Sequence, residues 1–186
     1  MPPVSNGRLA IVMLMVAETM LFTTLLGGYI VLRGAGGPWP PPGLPRLPLA
    51  VTWVNTVVLM ASCWTMYRAW KALGGHPPEP RQLRYSLAET ALLGSTFLTI
   101  QGTEWVRLVR FGLTLSAGVY GATFYLLIGL HGLHVLAAVV WLLWLALRVR
   151  GDRFTLKRAA PADLCALYWF YVCGLWAVLF PVVYLY

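Results

Sequence analysis

Three groups of residues in this chain are costly to bury, yet they sit inside apolar stretches. Glu18 lies in MVAETMLFTTLLGGY, where Met15, Met20, Leu21 and Phe22 offer it no charge. His131 and His134 lie three apart in LIGLHGLHVLAA, with Gly132 between them. Gln101 and Glu104 lie three apart in QGTEW. An ionised side chain at a bilayer centre costs about 2.5–3.5 kcal/mol on insertion scales, so such residues carry a partner, a changed protonation state or a function. Glu18 is read either as a protonated carboxyl hydrogen-bonded to another helix or as a proton-handling carboxyl facing lipid or a partner subunit. The i, i+3 histidines share one helix face, and Gly132 lets another backbone approach. A structural zinc site wants four ligands, and the remaining histidine, His76, falls in a loop. The histidines are therefore expected to hydrogen-bond carboxylates across helices, with Glu104 pairing with one of them. Glu89 is placed at the start of a helix, where the dipole favours a carboxylate. Asn55, Thr56 and Ser62 are expected to hydrogen-bond between helices.

No phosphate-binding loop, H-E-x-x-H, G-x-S-x-G or dinucleotide fingerprint occurs, so no catalytic residue and no metal ligand are expected. Cys63, Cys165 and Cys173 all lie in apolar runs without C-x-x-C spacing and read as small packed hydrophobes. They carry no information about redox compartment.

The elements that hold these residues emerge from composition. Hydrophobic residues make up 59% of the 186 and charged residues 11%, where a soluble domain has roughly 25% charged. Such a chain needs lipid or a large partner as its solvent. The net charge of +8 could suggest nucleic acid. Its basic residues instead fill short gaps between apolar runs, as in membrane proteins, so nucleic acid is excluded as a partner.

Five runs are long enough to cross the roughly 30 Å hydrocarbon layer as helices: Leu9–Leu32, Leu49–Trp70, Tyr85–Leu108, Val119–Leu147 and Ala162–Tyr186. The third is the least apolar. The spans predict one all-α integral membrane domain over residues 1–186, a bundle of five transmembrane helices. Gly34–Pro48, Gly74–Pro80 and Arg148–Pro161 read as linkers, rich in Gly and Pro or in charge. The first run comes after only Arg8, lacks an A-x-A site, and reads as a retained helix. With this topology ten Lys and Arg fall on one side and four on the other. That asymmetry places the N-terminus in the cytoplasm and the C-terminus outside. Trp39, Trp53, Trp70, Trp105, Tyr168 and Tyr186 fall near helix ends as interfacial anchors. Arg33, Arg68, Arg107 and Arg148 are candidate lipid-headgroup contacts or topology determinants alone.

Ala17-Glu18 with Phe22 and Tyr29, Asn55-Thr56 with Ser62, LTIQGTEW ending at Trp105, GVYGATFYLLIGLHGLHV from Gly118 to Val135, and Tyr168-Trp169 with Val172 and Trp176 occur in that order. In these five segments, across nearly the whole chain, the sequence resembles cytochrome c oxidase subunit III. The resemblance implies a short five-helix form of a seven-helix fold, lacking the first two helices. It implies a non-catalytic subunit of a proton-pumping haem–copper oxidase that passes electrons from cytochrome c to dioxygen. The expected location is a bacterial plasma membrane. Haem and copper would sit in the catalytic subunit I, with subunit II and other small membrane subunits as further partners. This chain would hold no cofactor beyond structural phospholipids and would support proton uptake and protect the active site during turnover. Glu18 would be the family's carbodiimide-reactive carboxyl. Ala17, Ile128, Phe170 and Cys173 depart from the family pattern, the last two replacing a His and an Asp. These departures keep open an accessory subunit of a nitric oxide reductase or quinol oxidase. Outside that class stand a small proton-coupled transporter and a haem-binding electron carrier.

Overall fold

The computed structural model describes residues 5–74, 80–148 and 160–186. It contains five long helices: α1 (Asn6–Gly34), α2 (Leu49–Gly74), α3 (Pro80–Arg110), α4 (Gly118–Arg148) and α5 (Ala160–Leu185). Ser5 caps α1, its hydroxyl accepting from the Arg8 amide at 3.3 Å. α3 opens on Pro80, where a missing N–H leaves no bond unmade. α4 opens on Gly118 at φ +78°, a left-handed backbone that a side chain would strain.

The helices extend past the predicted spans by up to five residues, because Arg81, Arg84, Lys71 and Arg110 continue helical turns beyond the apolar runs. His76 and most of the Arg148–Pro161 linker, with Arg150, Arg153, Lys157 and Arg158, lie outside the described residues.

Four helices, α1, α2, α4 and α5, are long and apolar enough to cross a membrane. α3 is the least apolar of the five, as the sequence predicts: its 31 residues include Arg81, Arg84, Glu89, Gln101, Glu104, Arg107 and Arg110. α3 packs most extensively on α2 and α4. It turns Ser86, Thr90, Gln101 and Glu104 inward, all at 7% exposure or less. Its polarity is matched to other helices instead of lipid.

Cross-helix bonds fix directions. Along α2, Thr56, Ser62 and Trp70 meet Trp176, Trp169 and Asp163 of α5 in falling order, so the two run antiparallel. Along α1, Thr19, Tyr29 and Arg33 meet Tyr171, Val183 and Tyr186 in rising order, so α1 runs parallel to α5. The core gathers fully buried Trp169, Trp176, Phe97 and Phe124 between the helices. Gly94 permits this closeness: a Cβ there would lie 2.5 Å from the Trp169 ring and 2.9 Å from Val139. α1 joins by one stripe, with Glu18, Phe22 and Tyr29 as its buried residues.

Candidate functional site

α4 is not regular. Residues Tyr125–Gly129 form a π-helical turn, which inserts one extra residue and rotates the remainder of the helix. The histidines come directly after it. His134 turns to α1, its Nε2 3.4 Å from Glu18 Oε1. Its Nδ1 lies 2.7 Å from the Leu130 carbonyl, which can only accept, so Nδ1 carries a hydrogen. A proton on either atom would make this contact favourable, as a carboxyl donating to imidazole or as imidazolium facing carboxylate. Tyr168 of α5 donates to the same Oε1 at 3.2 Å. The Phe22 ring meets His134 edge-on at 5.5 Å, and Thr19 donates to Tyr171 at 3.2 Å. Glu18 is 8% exposed, and its Oε2 has no partner among the described residues. Three helices thus meet on one buried polar contact.

His131 does something different. Two residues beyond the π-helical turn, it stacks on Trp176 at 5.2 Å, and the Phe97 ring stands edge-on to it. Neither ring nitrogen has a hydrogen-bond partner among the described residues. The expected Glu104–histidine pair does not form. Glu104 Oε1 accepts from Arg107 at 2.7 Å, while His134 faces Glu18. Three residues on a helix turn about 300°, so His131 and His134 diverge enough to reach different neighbours. Gly132 also differs from expectation, since the Trp105 side chain, not a backbone, comes within 2.8 Å of where its Cβ would stand.

The other polar residues hold the bundle together. Asn55 donates to the Phe97 carbonyl at 3.1 Å and to Gln101 Oε1 at 3.4 Å. Gln101 donates to Tyr184 at 3.2 Å. Thr56 and Ser62 accept the indole N–H groups of Trp176 and Trp169. Glu89 is not at a helix start, because α3 begins at Pro80; it pairs with Arg68 of α2 at 3.3 Å. Arg148 lies 4.4 Å over the Trp144 ring. Arg33 donates to Tyr29 at 2.9 Å and to the main-chain oxygen of Tyr186. The three cysteines are free.

Sequence reasoning misses Tyr168, assigning it to the interface as an anchor. It is 6% exposed and completes the Glu18 contact. Its i, i+3 spacing with Tyr171 is a usable sign of a polar face on α5, but no local pattern says that α1 lies against it. Among the described residues no three His, Cys, Asp or Glu side chains gather into a group able to hold a metal.

Comparison with known proteins identifies the family. The family model for cytochrome c oxidase subunit III matches residues 2–186. A probable cytochrome c oxidase subunit 3 from Nocardia farcinica is 35% identical over 170 residues, covering 90% of this chain and 82% of its own length. The cytochrome c oxidase subunit 3 of Synechocystis is 32% identical over 176 residues, covering 94% and 73%. That of Gadus morhua is 33% identical over 190 residues, covering 98% and 71%. The chain belongs to the cytochrome c oxidase subunit III family.

Proposed function

We propose that this chain is the non-catalytic third subunit of a proton-pumping haem–copper terminal oxidase, with the start of α1 on the cytoplasmic side. It packs on the catalytic subunit, holds phospholipid and helps sustain proton uptake, while haem and copper belong to its partners. The observation that carries the reading is the contact of Glu18, His134 and Tyr168. It is a carboxyl–imidazole–phenol contact, buried where α1 joins α4 and α5, on a helix whose outer face remains apolar and exposed at Met13, Val16, Met20 and Val31. A carboxyl in that place can hold or pass a proton without a charge being left alone in the membrane. The Lys and Arg distribution supports the orientation.

Purification through a tag on this chain in mild detergent tests the reading. The expected result is co-purification with a larger membrane subunit carrying haem and copper that reduces dioxygen. A partner that reduces nitric oxide instead would move the chain to the reductase class. A chain that purifies alone, with a haem absorption band of its own or with proton flux in liposomes, would overturn the proposal.

A further inference from the structure

At one level of the bundle, four helices bring polar groups into the core. Asn55 of α2 donates to Gln101 of α3, Trp176 of α5 donates to Thr56 of α2, and Trp176 stacks on His131 of α4. Phe97 of α3 closes the ring, edge-on to His131 at 6.5 Å and to Trp176 at 5.2 Å. These contacts put Asn55, Phe97, His131 and Trp176 in a single layer, each at 1% exposure or less.

The hydrogen bonds of this layer do not balance. The Asn55 amide gives its N–H groups to the Phe97 carbonyl and Gln101 Oε1, while its own Oδ1 accepts nothing among the described residues. Both ring nitrogens of His131 are likewise unpartnered there. A neutral imidazole offers one donor and one acceptor. Bare polar atoms buried this deeply are rare in native proteins, because each forfeits its bond to water. Whatever satisfies these three must both donate and accept, and must bring no charge into a layer whose other members are uncharged. Water meets those conditions and an ion does not. α4 makes its π-helical turn directly before His131, and α5 makes another at Pro181–Leu185. Such turns interrupt regular helix geometry beside the layer. Tyr184, in the second of them, accepts from Gln101 and also lines a cavity of about 200 Å³ where α1 ends and α2 begins. One side chain therefore joins the layer to the surface.

We propose that Asn55 and His131 bind internal water, which donates to Asn55 Oδ1 and bonds the imidazole as donor at one nitrogen and acceptor at the other. α2 packs on α3 and α5, and α4 packs on the same two helices. α2 and α4 thus stand diagonally, and the water links them across the core. The site is independent of the oxidase reading.

Radiolytic labelling in heavy-oxygen water tests it, on the full chain in the assembly with which it purifies. A synchrotron pulse splits water, and hydroxyl radicals born beside a side chain oxidise it before they diffuse away. His131 and Trp176 are expected to take up heavy oxygen, while Met66, equally buried and readily oxidised, stays unlabelled. H131F keeps the stack on Trp176 and removes both nitrogens. Label at Trp176 should then fall about fivefold, the effect of losing one hydrogen bond. Should H131F not fold, the parent chain alone decides. No label at His131 and Trp176 overturns the proposal. So does equal label at Met66, which means that solvent enters the whole core, and so does undiminished label at Trp176 in H131F.

Discussion

His134 uses one ring nitrogen on its own helix and the other on α1, and this division decides which substitutions Glu18 tolerates. Glu18→Gln keeps an acceptor for Tyr168 and supplies an amide N–H to the imidazole, so stability should change by less than about 0.5 kcal/mol. Glu18→Leu leaves the Tyr168 hydroxyl and His134 Nε2 unpartnered in a buried place, at a cost of about 1–3 kcal/mol. Tyr168→Phe removes the donor, and the double variant with Glu18→Leu should cost less than the sum of the two, with a coupling of about 1 kcal/mol. Denaturant titration of the parent and these variants in one detergent checks this; additive effects would mean the 3.2 Å contact contributes nothing. The buried carboxyl and the histidines stand out in the sequence because each contradicts its apolar surroundings. Their pairing does not. Glu18 to His134 crosses from α1 to α4, past a π-helical turn that no composition rule announces. Glu104 is the nearer carboxylate in sequence, and it fails as the partner because Arg107 lies one turn away and takes it.

At the scale of elements, α3 shows why hydropathy gives the existence of a helix more readily than its surroundings. Its polar positions are turned toward α2 and α5, where Thr90 meets Thr65 at 2.7 Å and Gln101 meets Asn55 and Tyr184. Interhelical bonds of this kind average about 0.6 kcal/mol each in membranes, so close packing has to provide most of the hold on α3. Gly94 is where that packing is tightest. Gly94→Ala drives a methyl into the Trp169 ring and Val139, and overpacking of this size costs about 1–3 kcal/mol. Combining it with Trp169→Phe should return part of the loss by shortening the ring. The thermal midpoints of the single and double variants decide it, and a Gly94→Ala protein as stable as the parent would show that the helices separate freely at this level. The pattern of apolar runs could not identify Gly94, because a glycine in a helix looks the same in sequence whether its missing side chain faces lipid or a tryptophan.

For the whole molecule, the number of helices is legible from five apolar runs, while the helix ends are not, because the apolar runs stop at the first charges and the helices continue through them. Also illegible is how unevenly the helices share the core. α2, α4 and α5 each bury residues along their length, whereas α1 buries Glu18, Phe22 and Tyr29 and exposes large apolar side chains over most of its surface. Elements with few buried contacts open at lower free energy than the global transition. α1 should therefore be the first part of the isolated chain to loosen. Hydrogen–deuterium exchange in detergent is expected to show the amides of α1 exchanging before those of α3, despite the greater apolarity of α1. Tyr29→Phe, which removes the hydroxyl bonded to Arg33 and to the Val183 carbonyl, should speed exchange in the second half of α1 about two- to tenfold, the effect of losing roughly 0.5–1.5 kcal/mol, and leave α3 unchanged. Equal acceleration in α1 and α3 would mean that the five helices open together, and that the single stripe joining α1 to the bundle is as secure as the packing of the core.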